Sequence, residues 1–404
     1  MHTEKISFEN TEGELLVGRL EFPIGKAPHN YVLFAHCFTC TKNLSAVKNI
    51  SRALTAEGFA VLRFDFTGLG ESEGDFADTN FSGNVEDLVA AANYLKKHHS
   101  APSLIIGHSL GGAAVIFAAS QIPSVQAVAT IGAPSNPKHV KHLFKSSLEE
   151  ITAKGIARVD LGGREFTIKK QFIEDLESKS LQETVKELRK SLLILHSPQD
   201  NTVSIKNAEE IYKAAHHPKS FVSLDGADHL LLSKVDSTYV GKVVSGWAQR
   251  YVPKENNTPL ESKHDVVAGL DADAGFTTRM KVGNHQMIAD EPKSFGGMDY
   301  GPSPYELVSA GLSACTAMTI QMYAKQKGWQ VNSVRVHTSY SRSHAKDCEN
   351  CEKHNAKIDT FHREIRFEGQ LDQNQIDRLL QIADKCPVHK TLHNKAQVIT
   401  KLLT

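Results

Sequence analysis

One stretch near residue 109 constrains the fold of this chain more than any other. Residues 104–112 have the sequence LIIGHSLGG, and small or apolar residues continue to residue 119. A short apolar run of this kind is typical of a strand buried on both faces, and the small residues that follow suit a helix packed closely against it. The stretch therefore predicts a strand, a sharp turn and a helix.

Ser109 lies at the centre of a G-x-S-x-G pattern formed with Gly107 and Gly111. A serine on a strand-to-helix turn has a strained backbone, so the residues two positions before and after it have to be very small. Such a turn exposes the hydroxyl, and the free N–H groups at the start of the helix favour an oxyanion beside it. The pattern indicates a nucleophilic serine, with a purely structural serine as the alternative.

Strand-like and helix-like segments alternate on both sides of Ser109, which predicts an α/β fold with a doubly wound sheet. An antiparallel hairpin is expected at 6–22, and the later strand candidates are 31–36, 60–65, 104–108, 127–131, 191–195 and 220–224. The alternation breaks over about 138–190, where helical and hairpin patterns mix. Insertions between core strands commonly cover active sites, so this segment is predicted to be a lid.

Asp200 and His229 each follow a predicted strand end, so both should emerge with Ser109 at the carboxyl edge of the sheet. The order Ser, Asp, His is the one that a catalytic triad has in this architecture. In such a triad the histidine takes the serine proton, and the acid orients the imidazole. Asp228 is a rival for the acid, although its position next to His229 makes that bond awkward. A loop histidine without a catalytic role is the alternative for His229.

These residues resemble the α/β-hydrolase superfamily over about residues 5–250. The resemblance implies acyl transfer with a small-molecule substrate, and ester, thioester and peptide substrates all stay open. The backbone N–H of Leu110 is expected to hold the oxyanion, and the resemblance adds the N–H of Phe38 as the second donor. It also identifies residues 65–72 as the family's loop of structural glycines after a strand.

Cys37 stands where many relatives have glycine, and it forms a C-x-x-C with Cys40. Such a pair is typical of a redox centre or of half a zinc site, or it consists of small packing residues. Because no second C-x-x-C lies nearby in this part of the chain, the sequence favours packing residues.

The chain has 404 residues, with 46 Lys and Arg against 46 Asp and Glu. Because positive and negative charges balance, the composition gives no indication of binding to nucleic acid or to an anionic membrane. The sequence shows no long apolar span, and its N-terminus lacks the apolar core of a signal peptide, so no membrane span and a cytoplasmic location are predicted. The six cysteines are then expected to be reduced, catalytic or metal-binding rather than structural disulfides.

A polar segment at 253–264 predicts a linker between a first domain at 1–252 and a second domain at 265–404. The second domain has alternation typical of a hairpin, then a long helix rich in small residues, two strands and another helix. The predicted ranges are 275–288, 305–328, 330–342, 359–370 and 374–385.

Two cysteines of the second domain lie in different settings. Cys386 precedes Pro387 and should cap a helical turn, where a thiolate is stabilised. Cys315 lies in the middle of the long helix, where a cysteine is by default an inert small hydrophobe. Together with the motifs GPSPYEL at 301–307 and SACTAMT at 313–319, this pair resembles the OsmC and organic hydroperoxide resistance family.

The resemblance implies a thiol-dependent peroxidase that acts on organic hydroperoxides. In that family the cysteine matching Cys315 attacks the peroxide as a thiolate and becomes sulfenic acid, and the one matching Cys386 resolves it as a disulfide. Such proteins are intertwined homodimers with the site at the subunit interface, and some relatives use a dihydrolipoamide-type dithiol reductant. The resemblance covers about residues 265–404 of this chain.

Two positions depart from the family pattern. Peroxidatic members carry glutamate directly after the second proline, where Tyr305 stands, so Glu306 is displaced by one position, about 100° around a helix. They also carry arginine in the first hairpin turn, where Asn284 and His285 stand. Glu306 is therefore a candidate for the carboxylate, and His285 or Arg279 is a candidate for the positive charge.

The segment 343–354 contains the spacing H-x3-C-x2-C-x2-H. Its zinc-ligand candidates are His344, Cys348, Cys351 and His354. Zinc sites more often draw on two separated pairs, so an exposed redox loop and an ordinary polar hairpin are equal alternatives. No cofactor is required for either predicted reaction, and zinc is the one metal that the sequence raises.

Together these patterns predict an α/β serine hydrolase fused to an OsmC-like thiol peroxidase, with a role in oxidative-stress defence or detoxification. The alternative is an active hydrolase whose OsmC-like part is a non-catalytic dimerising or ligand-binding module. Peroxide consumption by the second domain discriminates between the two.

Overall fold

The chain forms two compact units, Met1–Pro259 and Leu260–Thr404. The computed structural model describes residues 2–24, 27–37, 40–137, 147–160, 165–252, 260–272, 274–344 and 357–403. Residues 253–259, which form most of the predicted linker, lie outside these ranges. Each unit is described by itself below.

The first unit is built on an eight-stranded sheet with the order β1-β2-β4-β3-β5-β6-β9-β10. β1 and β2 form an antiparallel edge, and the six strands from β4 to β10 run parallel to one another. The bounds are β1 His2–Glu9, β2 Leu15–Phe22, β3 Asn30–Ala35, β4 Phe59–Phe64, β5 Leu104–His108, β6 Ala127–Ile131, β9 Ser191–His196 and β10 Lys219–Ser223. The predicted doubly wound α/β fold is confirmed.

Helices cover both faces of this sheet. α1 (Ser45–Ala56) and α8 (Lys234–Ala248) pack together, and their apolar side chains meet those of β3 and β5 in one buried cluster. α2 (Phe81–His98) and α3 (Leu110–Gln121) pack against each other as a second pair, and α7 (Lys206–Ala214) packs along β9. Strands buried on both faces explain why the parallel runs are apolar at successive positions.

The segment predicted as a lid combines helices with a hairpin. It contains α4 Leu148–Lys154, β7 Ile156–Asp160, β8 Glu165–Lys169, α5 Lys170–Ser178 and α6 Leu181–Glu187. Asp175 accepts hydrogen bonds from the backbone N–H and the hydroxyl of Ser82, both at 2.7 Å, and the Phe166 ring lies 4.9 Å from that of Phe76. These contacts fasten the segment to the chain around the start of α2.

The second unit has a three-stranded antiparallel sheet, a long helix, a long hairpin and two short helices. α10 and α11 pack against α9, and α9 packs against β14 around a small core that includes Ile320, Ala324 and Leu379. The bounds are β11 Val266–Gly269, β12 Thr278–Val282, β13 His285–Ala289, α9 Pro304–Lys327, β14 Gln330–His344, β15 Lys357–Gln370, α10 Gln373–Ala383 and α11 Pro387–His393.

α9 exposes much of its apolar surface. Only 22% of its most apolar window is buried within the chain, and the side chains of Met318 and Met322 are 66% and 73% exposed. By length and composition, α9 is the one helix in the described ranges that could cross a membrane, whereas the sequence predicted no such span. A single helix of this kind is weak grounds for a membrane segment, because the core helix of a soluble protein has the same length and composition.

Candidate active sites

Ser109 occupies a sharp turn between β5 and α3. Its backbone has φ 56° and ψ −127°, which an L-residue rarely adopts. A Cβ on Gly107 would lie 2.2 Å from the carbonyl oxygen of Gly111, and one on Gly111 would lie 2.4 Å from that of His36. Only glycine fits at either position, which is the physical reason for the G-x-S-x-G pattern.

The side chains of Ser109, His229 and Asp200 form a continuous hydrogen-bonded chain. His229 Nε2 lies 3.0 Å from Ser109 Oγ, and His229 Nδ1 lies 2.7 Å from Asp200 Oδ2. The other carboxylate oxygen of Asp200 accepts hydrogen bonds from the backbone N–H groups of Thr202 and Val203, both at 2.8 Å. This geometry suits proton transfer from the serine to a histidine that a fixed carboxylate orients.

Asp200 is held as a carboxylate. Burial alone would raise the pKa of Asp200, but hydrogen bonds from His229, Val203 and Thr202 act in the opposite direction, and the net pKa is lowered. Asp228 is exposed instead, and its two oxygens accept hydrogen bonds from the backbone N–H groups of residues 230 and 232. The structure therefore brings Asp200, and not Asp228, to the imidazole.

The predicted oxyanion site is described on one side only. Leu110 is the first residue of α3, so its N–H has no carbonyl partner within the helix. Phe38, the other predicted donor, lies outside the described residues. A cavity of about 10 Å³, roughly the space of one water molecule, lies against Leu110 and Gly111. Its other walls are His36, Phe66, Leu69, Phe76, Asn84 and Ala114.

Cys37 and Cys40 form a disulfide, so the prediction of two small packing residues was wrong. A turn in which the Cys40 N–H donates to the Cys37 carbonyl oxygen at 3.1 Å brings the Cα atoms within 5.3 Å. That separation lies inside the range that a disulfide requires. The expectation of reduced cysteines fails for this pair, because turn geometry and not composition decides whether two nearby cysteines can bond.

A buried group of charged residues anchors the chain just after this disulfide, and the sequence analysis missed it. Lys42 is fully buried, its N–H donates to Asp65 Oδ1 at 2.7 Å, and its ammonium group pairs with Asp65 and with Glu71. Arg63 donates to the Lys42 carbonyl oxygen at 2.6 Å and pairs with buried Glu21. The signal was an arginine inside the otherwise apolar β4.

Two further histidines lie beside the candidate triad. His108 Nε2 lies 2.7 Å from the carbonyl oxygen of His229, and burial, aided by the nearby His229, lowers the pKa of His108 to about 4. His196 Nε2 lies 2.7 Å from the carbonyl oxygen of Val203, and burial lowers its pKa as well. Both rings are thus neutral near pH 7, and they support the loops that carry His229 and Asp200.

The second candidate site contains Cys315 and Cys386, which are both free thiols. Cys315 is half-buried on α9, and Cys386 is fully buried at the start of α11. Cys386 Sγ accepts a hydrogen bond from the His389 N–H at 3.2 Å and lies 3.6 Å from the hydroxyl oxygen of Thr316. The helical turn that carries Cys315 therefore reaches Cys386, and Cys386 caps a helix as the sequence predicted.

The predicted partners of these thiols lie elsewhere in the chain. Glu306 forms a capping box with Ser303, whose N–H donates to Glu306 Oε2 at 2.7 Å, and it lies about 13 Å along α9 from Cys315. Arg279 pairs with Asp271 at 3.0 Å, and His285 is exposed at the start of β13. Glu306 and Arg279 thus contact Ser303 and Asp271, and the part of these two residues and of His285 in the thiol chemistry stays a prediction.

Arg363 brings a positive charge to two groups beside the Cys386 thiol, which the sequence analysis did not anticipate. Its guanidinium group donates to Thr316 Oγ1 at 2.8 Å and contacts His389 Nδ1 at 3.0 Å. The sequence did contain a signal for this position. Arg363 lies on the same face of β15 as Phe361 and Ile365, two residues away on either side, and both of these are apolar.

The zinc prediction is not tested by the structure. Cys348, Cys351 and His354 lie outside the described residues, and His344 is the last residue of β14. Within the described ranges, no group of three or more His, Cys, Asp or Glu side chains is arranged to hold a metal ion.

The fold of the first unit, with a serine on a strand-to-helix turn, defines the α/β-hydrolase class, and comparisons with known proteins agree. The family model described as serine aminopeptidase, S33, matches residues 26–174, and the one described as OsmC-like protein matches residues 296–401. The crystal structure of the esterase domain of a Rhodothermus marinus protein is 55% identical, with a TM-score of 0.54. That match covers 63% of this chain and 100% of the solved domain. The chain is a fusion of an α/β-hydrolase superfamily domain with an OsmC-like domain.

More distant comparisons concern the fold or part of the chain. Est1E from Butyrivibrio proteoclasticus, solved with ferulic acid, shares the fold at 21% identity and a TM-score of 0.50, covering 61% of this chain and 98% of that one. An uncharacterized 31.7 kDa protein of the Escherichia coli traX-finO intergenic region is 31% identical over 29% of this chain and 41% of its own length. An uncharacterized Rickettsia prowazekii protein is 29% identical over 33% of this chain. This chain spans 41% and 57% of the lengths of these two curated relatives.

Proposed function

We propose that the first unit is a serine esterase in which Ser109 is the nucleophile. The observation that carries the proposal is the position of His229, hydrogen-bonded to Ser109 at 3.0 Å and to Asp200 at 2.7 Å. His229 takes the Ser109 proton as Oγ attacks the ester carbonyl, and it returns a proton to the leaving alcohol. Water then hydrolyses the acyl-enzyme, and the Leu110 N–H stabilises the oxyanion in both steps.

The 55% identity to a solved esterase domain supports esters over peptides as substrates. Hydrolysis of a series of p-nitrophenyl esters from acetyl to octanoyl tests the ester class and defines the preferred acyl length. Absence of turnover along the whole series would contradict the esterase assignment.

Labelling with a fluorophosphonate probe tests the nucleophile. Ser109→Ala should abolish both labelling and ester turnover, because the serine and its base act as one unit. Ser120→Ala is the matched control, since Ser120 is an exposed serine on the same helix and its hydroxyl donates to the carbonyl oxygen of Phe117. Turnover that survives in Ser109→Ala would disprove the triad.

We further propose that the second unit is a thiol peroxidase for organic hydroperoxides. The Cys315 thiolate attacks the peroxide oxygen, an alcohol leaves, and Cys315 becomes sulfenic acid. Cys386 then attacks that sulfur, forming a disulfide with release of water, and an external dithiol restores both thiols by exchange. The contact between Thr316 and Cys386 supports the pairing, because Thr316 directly follows Cys315.

Cysteine variants test this cycle with cumene hydroperoxide. Cys315→Ser should consume no peroxide, and Cys386→Ser should accumulate a sulfenic acid that a dimedone-type reagent traps. Wild type should form a Cys315–Cys386 disulfide that mass mapping detects. Peroxide loss that is unchanged in Cys315→Ser would favour the alternative of a non-catalytic module, which the capping role of Glu306 supports.

The exposed face of α9 supports a homodimer formed through the second unit. Met318 and Met322 are more exposed than methionines of a covered helix, and a contiguous apolar face of this kind marks an interface. The double change Met318→Lys and Met322→Lys should convert the dimer to a monomer in light scattering. Asn374→Lys, on the exposed surface of α10, is the control and should leave the mass unchanged.

An esterase joined to a hydroperoxide reductase suits oxidative-stress defence or detoxification, and we expect the protein in the cytoplasm. Loss of the gene should then sensitise cells to organic hydroperoxides more than to heat. Equal sensitivity of deletion and parent strains to organic hydroperoxides would argue against this role.

A further inference from the structure

Arg363 occupies an inward-facing position on β15 that the strand pattern reserves for apolar side chains. Residues 361, 363, 365 and 367 are half-buried, whereas residues 362, 364 and 366 are exposed. Ile365 and Phe367 pack against the core of the second unit. A charged group on such a face destabilises the fold unless it is paired. The partners of the guanidinium group therefore indicate what Arg363 does there.

The guanidinium group of Arg363 joins three elements. Its side chain is 12% exposed, and Nη1 donates to Thr316 Oγ1 on α9 at 2.8 Å and to the carbonyl oxygen of Ala383 at 3.2 Å. Nη2 donates to Asp384 Oδ1 at 2.7 Å and to His389 Nδ1 on α11 at 3.0 Å. All four of these contacts lie at the junction that contains Cys386.

Two of these partners are the groups that face the sulfur of Cys386. The His389 N–H donates to Sγ at 3.2 Å, and Thr316 Oγ1 lies 3.6 Å from Sγ. The Thr316 hydroxyl donates its hydrogen to the carbonyl oxygen of Leu312 at 2.8 Å. Its oxygen is then left as an acceptor, which the Cys386 thiol and Arg363 share.

We propose that Arg363 is the positioning residue for Cys386 in the resolving step, an inference that rests on the proposed peroxidase function. In that step Cys386 Sγ attacks the sulfur of the Cys315 sulfenic acid, so that an S–S bond forms and the S–O bond breaks. The leaving hydroxide takes the Cys386 proton and departs as water. Arg363 fixes both polar neighbours of Sγ, and its positive charge lies one hydrogen-bonded group away from the sulfur that releases its proton.

The lifetime of the sulfenic acid measures this role. Reduced full-length Arg363→Gln protein that keeps Cys315 and Cys386 as its only cysteines is given one equivalent of cumene hydroperoxide and compared with the same chain carrying Arg363. The variant should consume peroxide at the same rate. Its sulfenic acid should persist about tenfold longer at pH 7, because hydrogen bonds to a charged group are lost. Arg363→Lys keeps the charge and should recover to within about threefold of wild type.

Arg335→Gln is the matched control, since Arg335 lies on the paired strand β14 and makes an exposed ion pair with Glu368 at 3.0 Å. Its sulfenic acid should decay at the wild-type rate. Thermal unfolding of each variant shows whether the change acts through the fold. A folded Arg363→Gln protein whose sulfenic acid decays at the wild-type rate would overturn the proposal.

A peroxide-free version separates this inference from the peroxidase itself. In a chain that keeps Cys315 and Cys386 as its only cysteines, 4,4′-dithiodipyridine forms a mixed disulfide at Cys315, and attack by Cys386 releases a second thiopyridone. Arg363→Gln should slow the second release about tenfold, and raising the pH should restore it in part. If Arg363→Gln slows the second release while wild type forms no sulfenic acid with peroxide, the peroxidase function is refuted and the positioning role of Arg363 is kept. Unslowed release in a folded variant would refute the positioning role.

Discussion

Replacing Asp200 by asparagine should lower ester turnover about 10³–10⁴-fold, because the wrong histidine tautomer would face the serine. The backbone N–H groups of Thr202 and Val203 both point at Oδ1 at 2.8 Å, so the amide oxygen of the variant must take that place. Its NH₂ group is then left facing His229 Nδ1, which becomes an acceptor. The proton moves to Nε2, where it blocks acceptance of the Ser109 proton.

The size of this effect follows from the same contacts. Turning the amide over would restore the correct tautomer but would leave the buried N–H of Val203 and the partly buried N–H of Thr202 without an acceptor, at about 1–3 kcal/mol each. The alternative amide orientation therefore costs ~2–6 kcal/mol. Because 1.36 kcal/mol corresponds to about tenfold in rate, this range includes the 10³–10⁴-fold loss of turnover stated above.

The assay is kcat/KM for p-nitrophenyl acetate, with Asp228→Asn as the matched control. Asp228 is exposed and accepts hydrogen bonds from backbone N–H groups of its own loop, so its variant should stay within about threefold of wild type. A larger loss in Asp228→Asn than in Asp200→Asn would refute the reasoning and move the acid to Asp228.

Three further outcomes are expected. His108 has a pKa of about 4, below the 6.5 of the unfolded chain, so the unfolded state binds more protons in between. The neutral His108 therefore contributes about 3 kcal/mol to the free energy of unfolding, at 1.36 kcal/mol per pH unit, and this contribution is lost as the pH falls from 6.5 to about 4. In urea unfolding, His108→Asn should make the free energy of unfolding depend less on pH over this range. Ser303→Ala should destabilise the second unit by about 1 kcal/mol in thermal unfolding, whereas Glu306→Gln should change it by less than about 0.5 kcal/mol, because glutamine also serves a capping box. Gly111→Ala should slow fluorophosphonate labelling at least about tenfold, since its Cβ would meet backbone 2.4 Å away, while Gly246→Ala, with nothing within 4 Å, should not; equal labelling rates would contradict the close approach.

The parallel sheet was predictable because its signals are local. Apolar runs of five or six residues separated by helical patterns fix the strands, and a serine between two glycines fixes the turn after β5. The carboxyl edge of a parallel sheet then collects the residues that follow each strand. Asp200 and His229 were placed in that way from position alone, before any distance to Ser109 was known.

The parts that the sequence did not predict depend on contacts between distant residues. Burial of Lys42 becomes visible only when Asp65 and Glu71 are brought around its side chain. Likewise, Arg363 lies 47 residues from Thr316, and neither residue's neighbours indicate the hydrogen bond between them. In both cases the sequence signal was an arginine at a position where a strand is otherwise apolar, Arg63 in β4 and Arg363 in β15.

The Cys37–Cys40 disulfide changes how oxidant consumption by this chain has to be counted. Once reduced, that pair accepts one equivalent of a two-electron oxidant on its own, in addition to the equivalent taken up by Cys315 and Cys386. A titration that exceeds one equivalent per chain is therefore no measure of repeated turnover in the second unit. Stoichiometry becomes interpretable in a chain that keeps Cys315 and Cys386 as its only cysteines. An esterase assay run with dithiothreitol concerns a chemically different first unit from the disulfide-bonded one.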